Sequence, residues 1–274
     1  MPGIFVEDVS IRGGGLRGHR VTLRSAPGRR ATIRGRFYVA PSANYITVEN
    51  LKLDGRNGGD FASPIVNGDH SVWRNLDVTN YRAGAGICFH LGSPSDGTAS
   101  ATVIENNRIH DCGISNNHNQ AIYLNTARDT IIRDNYFYDN GDRAIQLYPN
   151  ADNTLIVHNV IDGNGEGVIF SGDDGYASNN NTVRWNIISN SRVRWNVESW
   201  YPSGNPIGSN NVVSDNCLWP GNRDGSYNRG GGIQSPRVGF TALRNRIVDP
   251  GYVNRAAKDF RLKRTSRCSK MHPH

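Results

Sequence analysis

The chain has 274 residues and a mass of 30.2 kDa, which is enough for two ordinary domains or one large domain. Hydrophobic residues make up 36% and charged residues 20% of the sequence, a composition too apolar and too weakly charged for a disordered chain. No apolar run approaches the ~18 residues that a membrane-spanning helix needs. The sequence therefore predicts a folded protein without a membrane span.

The formal net charge of +7 favours an anionic partner. Nucleic acid, a membrane surface and an acidic polysaccharide all fit that sign. No dense block of Lys and Arg stands out along the chain, which disfavours nucleic-acid binding by a basic arm. The first 20 residues lack the basic-then-apolar order of a signal peptide, so this segment does not predict secretion.

A repeated pattern runs along the chain, in which a few β-branched residues precede a polar pair that ends in Asn. The repeated positions are Asn50, Asn75, Asn107, Asn135, Asn159, Asn186, Asn216 and Asn245. Their spacing of 24 to 32 residues predicts about eight or more coils with insertions of variable length. We expect each Asn to adopt the left-handed conformation at a corner and to bond the next coil through its amide. This ladder accounts for much of the total of 32 Asn.

Each repeat unit reads as three short strands separated by turns. In one unit the strand patterns cover residues 154–158, 160–162 and 167–171, with Asn159 at the corner. Strands this short do not form a sandwich alone. Stacked coil on coil at the ~4.8 Å strand spacing, they form three long parallel sheets around one narrow core.

The ladder and the coil length resemble the right-handed parallel β-helix superfamily over residues 30–262. That superfamily is pectate-lyase-like and includes polysaccharide lyases, uronan epimerases, pectin-cleaving hydrolases and NosD-like proteins. The resemblance implies an all-β fold, namely a single-stranded right-handed parallel β-helix covering residues 1–262, followed by a C-terminal tail at residues 263–274. It also implies a secreted or periplasmic, monomeric protein. Fold alone does not fix the chemistry.

Strand alternation predicts a ligand groove on one sheet. In residues 86–90, 121–125, 144–148, 167–171 and 194–198, the second and fourth positions should point inward. The outward columns are then Cys88, Tyr123, Gln146, Ile169 and Asn196, beside His90, Asn125, Tyr148, Ser171 and Glu198. Long insertions border this face at residues 112–120, 172–181, 200–209 and 220–230. Enzymes of the resembling families bind saccharide chains in such a groove. Trp200 and Tyr201, within the third insertion, could stack on a sugar ring.

Three polar residues, Gln120, Arg143 and Glu166, occupy the same place in adjacent coils and should stack on one another. Cleavage of a uronate chain requires a cation for the substrate carboxylate, a base for the C5 proton and an acid for the leaving oxygen. We assign these catalytic roles to Arg143, His118, Tyr123 and Glu166. The predicted substrate-binding residues are His90, Gln120, Gln146, Tyr148, Arg194 and Glu198.

The predicted function is a carbohydrate-active protein, with β-elimination on an acidic polysaccharide as the first hypothesis. Hydrolysis would need two carboxylates, such as Asp142 with Glu166 or Glu166 with Glu198. A uronan epimerase and a non-catalytic glycan-binding module remain open, although the Asp-Pro-His motif of alginate-type epimerases is missing. Each Arg–Glu pair also has a purely structural interpretation. We expect removal of Arg143 to abolish activity with little change in thermal stability.

No metal site is assigned from the sequence, and the four cysteines contain no Cys-x-x-Cys pair. Calcium stays open, because the acidic spots, Asp139 with Asp142 and Asp173 with Asp174, fall in turns. The cysteines allow three pairings or free thiols. One pairing considered joins Cys88 to Cys112 and Cys217 to Cys268.

Overall fold

The computed structural model describes residues 3–27, 30–57, 59, 61–83, 86–221 and 226–273. These residues wind into a right-handed parallel β-solenoid of about nine turns with almost no helix, which confirms the predicted fold. Within the described part of the chain, no helix has the length and apolarity that crossing a membrane requires.

Three parallel sheets run the length of the solenoid, and each coil contributes one strand to each sheet in turn. The first sheet contains Ile4–Val6, Ala31–Arg34, Leu51–Asp54, Asp77–Thr79, Arg108–His110, Tyr136–Tyr138, Val160–Asp162, Ile187–Ser189, Cys217–Trp219 and Arg246–Ile247. The second contains Val9–Ile11, Phe37–Val39, Ile65–Val66, Phe89–Leu91, Gln120–Arg128, Arg143–Asp152, Glu166–Ser171 and Val197–Trp200, with Ala99–Ser100 beside Gln120–Arg128. The third contains Val21–Arg24, Ile46–Glu49, Val72–Arg74, Val103–Glu105, Ile131–Arg133, Leu155–Val157, Thr182–Arg184, Asn211–Ser214 and Phe240–Leu243.

The hydrophobic core fills the space between the three sheets, because alternate side chains of every strand point inward. Near the start of the solenoid, Trp73 lies fully buried between Phe37 and Phe89, with ring centroids 5.6 and 5.4 Å away and edge-to-face packing. Its indole N–H donates to Ser71 Oγ at 3.0 Å. Aliphatic side chains continue this core from coil to coil.

The predicted Asn ladder is present from Asn107 onward. In each step the amide oxygen of one coil accepts from the backbone and side-chain N–H groups of the coil before it, as Asn159 Oδ1 does from Asn135 at 3.0 Å for both bonds. The ladder consists of Asn107, Asn135, Asn159, Asn186, Asn216 and Asn245. These stacked amides satisfy buried backbone groups at every corner.

Two details of the predicted ladder were wrong. The left-handed residue is the one before the ladder Asn; Asp134, for example, has φ 56°. Asn50 and Asn75 occupy this left-handed position themselves, with φ 56° and 53°, so Leu51 and Leu76 stand at the ladder position in their coils. Asn occurs both at the left-handed position and at the ladder position that follows it. The sequence pattern therefore did not show which of these two positions a given Asn occupies.

Asn side chains also stack at two other places along the coils. Asn140 donates to Asn164 Oδ1 at 2.7 Å, and Asn181 donates to Asn211 Oδ1 at 3.0 Å. Together with the corner ladder, these stacked pairs account for a larger share of the Asn residues.

The C-terminal part of the chain packs on the outer face of the first sheet. It contains the antiparallel strands Tyr252–Asn254 and Asp259–Leu262 and the 3₁₀ turn Ser269–Met271; another 3₁₀ turn covers Ser226–Gly231. Its buried side chains form a second hydrophobic cluster with the sheet. The disulfide between Cys217 and Cys268 fixes this segment, while the other disulfide joins Cys88 to Cys112. This is the pairing considered from the sequence.

Candidate functional site

The second sheet carries the predicted stack of polar residues. Gln120 pairs with Arg143, and Arg143 with Glu166, in adjacent parallel strands, as predicted. Gln120 also donates from Nε2 to Gln146 Oε1 at 2.6 Å. The strand pairing therefore brings the amide, guanidinium and carboxylate groups together on one face.

The predicted outward columns were wrong at their two ends. His90 lies opposite Tyr123, and Glu198 lies opposite Ile169, so both belong to the column of Tyr123 and Gln146. The end strands are displaced by two residues from the predicted register. A displacement of two keeps the alternation of inward and outward side chains, so hydrophobicity could not reveal it.

The residues wrongly placed in those columns have other environments. Cys88 is fully buried in its disulfide, and Asn196 is buried and donates to the backbone oxygens of Trp219 and Gly231. Trp195, expected in the core, is half-buried and packs edge-to-face on Tyr227.

A pocket of about 320 Å³ opens on this face of the second sheet. It is lined by Ile87, Asn117, His118, Gln120, Tyr123, Arg143, Gln146, Tyr148, Arg194 and Trp200. Seven of the ten predicted site residues are among them. The other three, His90, Glu166 and Glu198, adjoin the pocket without lining it. Of the bordering insertions, 220–230 includes residues 222–225, which lie outside the described residues.

Arg143 is the most constrained side chain of the pocket and only 6% exposed. Its Nε donates to Glu166 Oε2 at 3.2 Å, and its Nη1 donates to the Asn117 backbone oxygen at 2.7 Å and to Gln146 Oε1 at 3.2 Å. Its Nη2 donates to Asn117 Oδ1. This burial changes the expectation that Arg143 can be removed without loss of stability.

Arg194 reaches the pocket from the next coil and keeps 32% of its side chain exposed. Its Nε lies 3.3 Å from Glu166 Oε1, and its Nη2 lies 2.9 Å from Glu198 Oε1. Glu166 thus contacts both arginines, one through each carboxylate oxygen. Both glutamate side chains are 1% exposed, so the carboxylates lie behind the guanidinium groups.

The buried carboxyl groups have altered proton affinity. Burial and the charge of Glu166 raise the pKa of Glu198 to about 8, although Arg194 opposes the rise. Burial raises the pKa of Asp142 to about 6, against the opposing charge of Arg143. At neutral pH Glu198 therefore holds its proton, and the pocket keeps a cationic face.

Aromatic side chains form a row along the pocket. The ring centroids of His90 and Tyr123 are 5.0 Å apart, those of Tyr123 and Tyr148 6.1 Å, and those of Tyr148 and Trp200 6.1 Å. Trp200 is 45% exposed. A row of rings with one exposed face suits stacking on a sugar.

Two titratable groups of this row are neutral near pH 7. Burial raises the pKa of Tyr123 well above its ordinary value, so its hydroxyl can donate a proton. Burial lowers the pKa of His90 to about 4, so its imidazole stays uncharged. His118 is exposed on the loop 112–120, at the edge of the pocket.

Besides Ile87, which was expected to point into the core, Asn117 is the lining residue that the sequence did not indicate. Its two oxygens accept from Arg143, and Arg194 Nη1 lies 3.5 Å from its Oδ1. It lies in an irregular insertion next to His118, where neither spacing nor alternation assigns a direction to a side chain.

The acidic turns considered for calcium have partners of other kinds. Asp139 lies 2.5 Å from Lys258 Nζ, and Asp173 Oδ2 accepts from the Tyr148 hydroxyl at 3.0 Å. The described residues include no group of three or more His, Cys, Asp or Glu side chains arranged to hold a metal ion.

The sequence profile of one protein family, right handed beta helix region, matches residues 36–235. The chain belongs to this family. No curated protein sequence matches it.

Among solved structures, the chain is similar to the periplasmic alginate epimerase AlgG, with a TM-score of 0.56 and 12% identity over 88% of this chain. It is also similar to the Agl-KA catalytic domain, with a TM-score of 0.52 and 15% identity over 90% of this chain. It spans 58% of the first structure and 47% of the second. At such low identity the likeness shows the fold alone.

Proposed function

We propose that the protein acts on an acidic, uronate-containing polysaccharide by β-elimination in the pocket of the second sheet. The observation that carries the proposal is the order of charges there. Arg143 and Arg194 line the pocket, while the carboxyl groups of Glu166 and Glu198 lie buried behind them. Two oriented guanidinium groups suit a substrate carboxylate.

The first chemical requirement is a more acidic C5–H bond. A guanidinium group paired with the substrate carboxylate stabilises the negative charge that develops when the C5 proton leaves. Arg194 is the better placed of the two arginines for direct contact, because a third of its side chain is exposed. Arg143 donates four hydrogen bonds, to Glu166, Gln146 and Asn117, and thereby fixes the positions of Gln146 and Asn117.

The second requirement is a base and an acid. In this proposal, His118 accepts the C5 proton, the electron pair forms the C4–C5 double bond, and the C4–O bond breaks. Tyr123, which its raised pKa keeps protonated at neutral pH, then gives its proton to the leaving oxygen. Tyr148 and Trp200 would stack on neighbouring sugar rings, and Gln120 and Gln146 would bond their hydroxyl groups.

A secreted or periplasmic location fits this proposal. Two disulfides connect distant parts of the chain, and such bonds persist in oxidising compartments. One of the similar structures is named as a periplasmic enzyme. We propose a monomer, since the pocket is formed by one chain.

The test is incubation with pectate, alginate and glycosaminoglycans, followed by the ultraviolet absorbance of the unsaturated uronate that β-elimination creates. We expect Arg194→Ala to abolish the signal. Arg133→Ala is the matched control, because Arg133 also pairs with a glutamate across adjacent strands, but on the third sheet. Silence on every acidic glycan, with and without calcium, would refute the proposal. New reducing ends without absorbance would identify hydrolysis instead.

A uronan C5-epimerase is the second candidate, since one similar structure is named as an alginate epimerase and both reactions begin by removing the C5 proton. In an epimerase, Tyr123 or His118 would return a proton to the opposite face of C5. Incubation of alginate in heavy water separates the two. Deuterium at C5 without new chain ends would indicate epimerisation.

A further inference from the structure

A second surface of the solenoid has the properties of a saccharide site, and it lies at the corner between the third and first sheets. In eight successive coils of the described chain, this corner has one residue with left-handed backbone. These residues are Asn50, Asn75, Asn106, Asp134, His158, Trp185, Asp215 and Arg244. Asn and Asp suit that conformation, whereas a bulky side chain is disfavoured there. Trp185, with φ 53°, is therefore a costly choice for the corner itself.

The structure places Trp185 where it can contact a ligand. Its ring is 38% exposed and lies 5.5 Å from the ring of His158 in the preceding coil. The Arg184 guanidinium stacks over it, with Cζ 4.4 Å from the ring centroid. Trp185 and His158 thus form an aromatic surface that continues across two coils.

A cleft of about 600 Å³ lies beside this aromatic surface. The C-terminal segment forms its other wall through Lys270 and Met271, and the disulfide of Cys268 attaches that segment to the first sheet. The cleft therefore exists only because the C-terminal segment is docked on the solenoid.

The charges around the cleft are predominantly positive. Arg244, Arg246 and Lys270 line it, and Arg184 stacks at its edge. Among the described residues that line it, the carboxylate is that of Asp215, which Arg244 already binds through both oxygens at 2.8 Å. A second carboxylate, that of Asp134, lies at the corner one coil before His158 and does not line the cleft. An anionic ligand fits this charge distribution.

We propose that this corner cleft binds a segment of acidic polysaccharide, separately from the pocket on the second sheet. A sugar ring would stack on Trp185, and its carboxylates would pair with Arg246 and Lys270. Such a site would hold the polymer on the protein independently of any reaction in the pocket. It stands whether or not the pocket proves to be a lyase.

Affinity electrophoresis through gels containing polygalacturonate or alginate tests this proposal, with each variant compared against its own mobility in a gel without polymer. We expect Trp185→Asn to weaken binding about 3- to 10-fold, the effect of losing one stacked ring. The thermal midpoint should not fall, because Asn suits the left-handed corner. Exchange of Arg246 and Lys270 for Gln should reduce the salt dependence of binding.

Tyr45→Asn is the matched control. Tyr45 also has left-handed backbone, with φ 53°, and stacks on a histidine of the next coil, His70, at 4.5 Å, but it does not line the cleft. Its removal should leave binding unchanged. The proposal would be overturned if Tyr45→Asn and Trp185→Asn weakened polymer binding equally. It would also be overturned if Arg194→Ala were the only variant that reduced the retardation by the polymer. The same variants are also run in gels that contain single-stranded DNA. If Trp185→Asn weakened binding to DNA but left binding to both polyuronates intact, the proposal would also be overturned.

Discussion

Removal of the Arg143 guanidinium should destabilise the protein strongly, and Arg143→Met tests this while keeping an apolar stem of similar length. The substitution leaves Glu166 buried with Arg194 as its remaining cation and takes a donor from Gln146. Breaking a buried ion pair by removing one partner costs about 3–5 kcal/mol. Because Arg194 still contacts Glu166, we expect the lower end, about 3 kcal/mol.

Urea unfolding at neutral pH measures this cost, and a double-mutant cycle with Glu166→Gln isolates the pair. We expect Glu166→Gln to recover part of the loss, because the Gln side chain carries no charge that needs the guanidinium. The control is Arg133→Met, whose cost should stay within about 1 kcal/mol, since Arg133 is half exposed where it binds Glu105. Equal small costs for both arginine variants would refute the argument that burial makes Arg143 structural.

Three further outcomes follow from the structure. The contribution of Glu198 to stability should fall as the pH rises from 4.5 to about 8, because the folded protein resists its ionisation. Buried His90 acts in the opposite direction below pH 6.5, so urea titrations should compare the wild type with Glu198→Gln, and an identical pH dependence of the two would contradict the raised pKa. Trp200→Ala should weaken binding of oligouronates about 3- to 10-fold at unchanged thermal stability, as shown by calorimetric titration. Asn159→Ala removes the acceptor of two Asn135 donors and should cost about 2–4 kcal/mol of unfolding free energy; a cost below about 1 kcal/mol would mean that the ladder amides are replaceable.

The fold and the centre of the pocket could be predicted because the coils there have no insertion. Gln120, Arg143 and Glu166 follow one another at intervals of 23 residues, so counting residues gives their stacking directly. The observed pairing agrees at both steps. Repeat length sets register wherever consecutive coils are equally long.

The ends of the site could not be predicted in the same way. His90 precedes the insertion at residues 112–120, and Glu198 follows the insertion at residues 172–181. A register displaced by two residues keeps every apolar side chain inside. The sequence also gave no signal that Glu166 and Glu198 lie behind the arginines instead of lining the pocket. That arrangement depends on the side-chain rotamers, which alternation along a strand does not specify.

The pocket of the second sheet presents a cationic surface although its arginines are paired with glutamates. The burial of these glutamates explains this. Glu166 binds both arginines and fixes their direction, yet its own oxygens are withdrawn from the pocket. Glu198 adds little negative charge near neutral pH, because burial and Glu166 keep it protonated. A substrate carboxylate entering the pocket would therefore meet guanidinium groups that are already oriented and only partly neutralised. Preorganisation of this kind is what stabilisation of a developing negative charge requires, and it depends on burial as much as on the presence of the arginines.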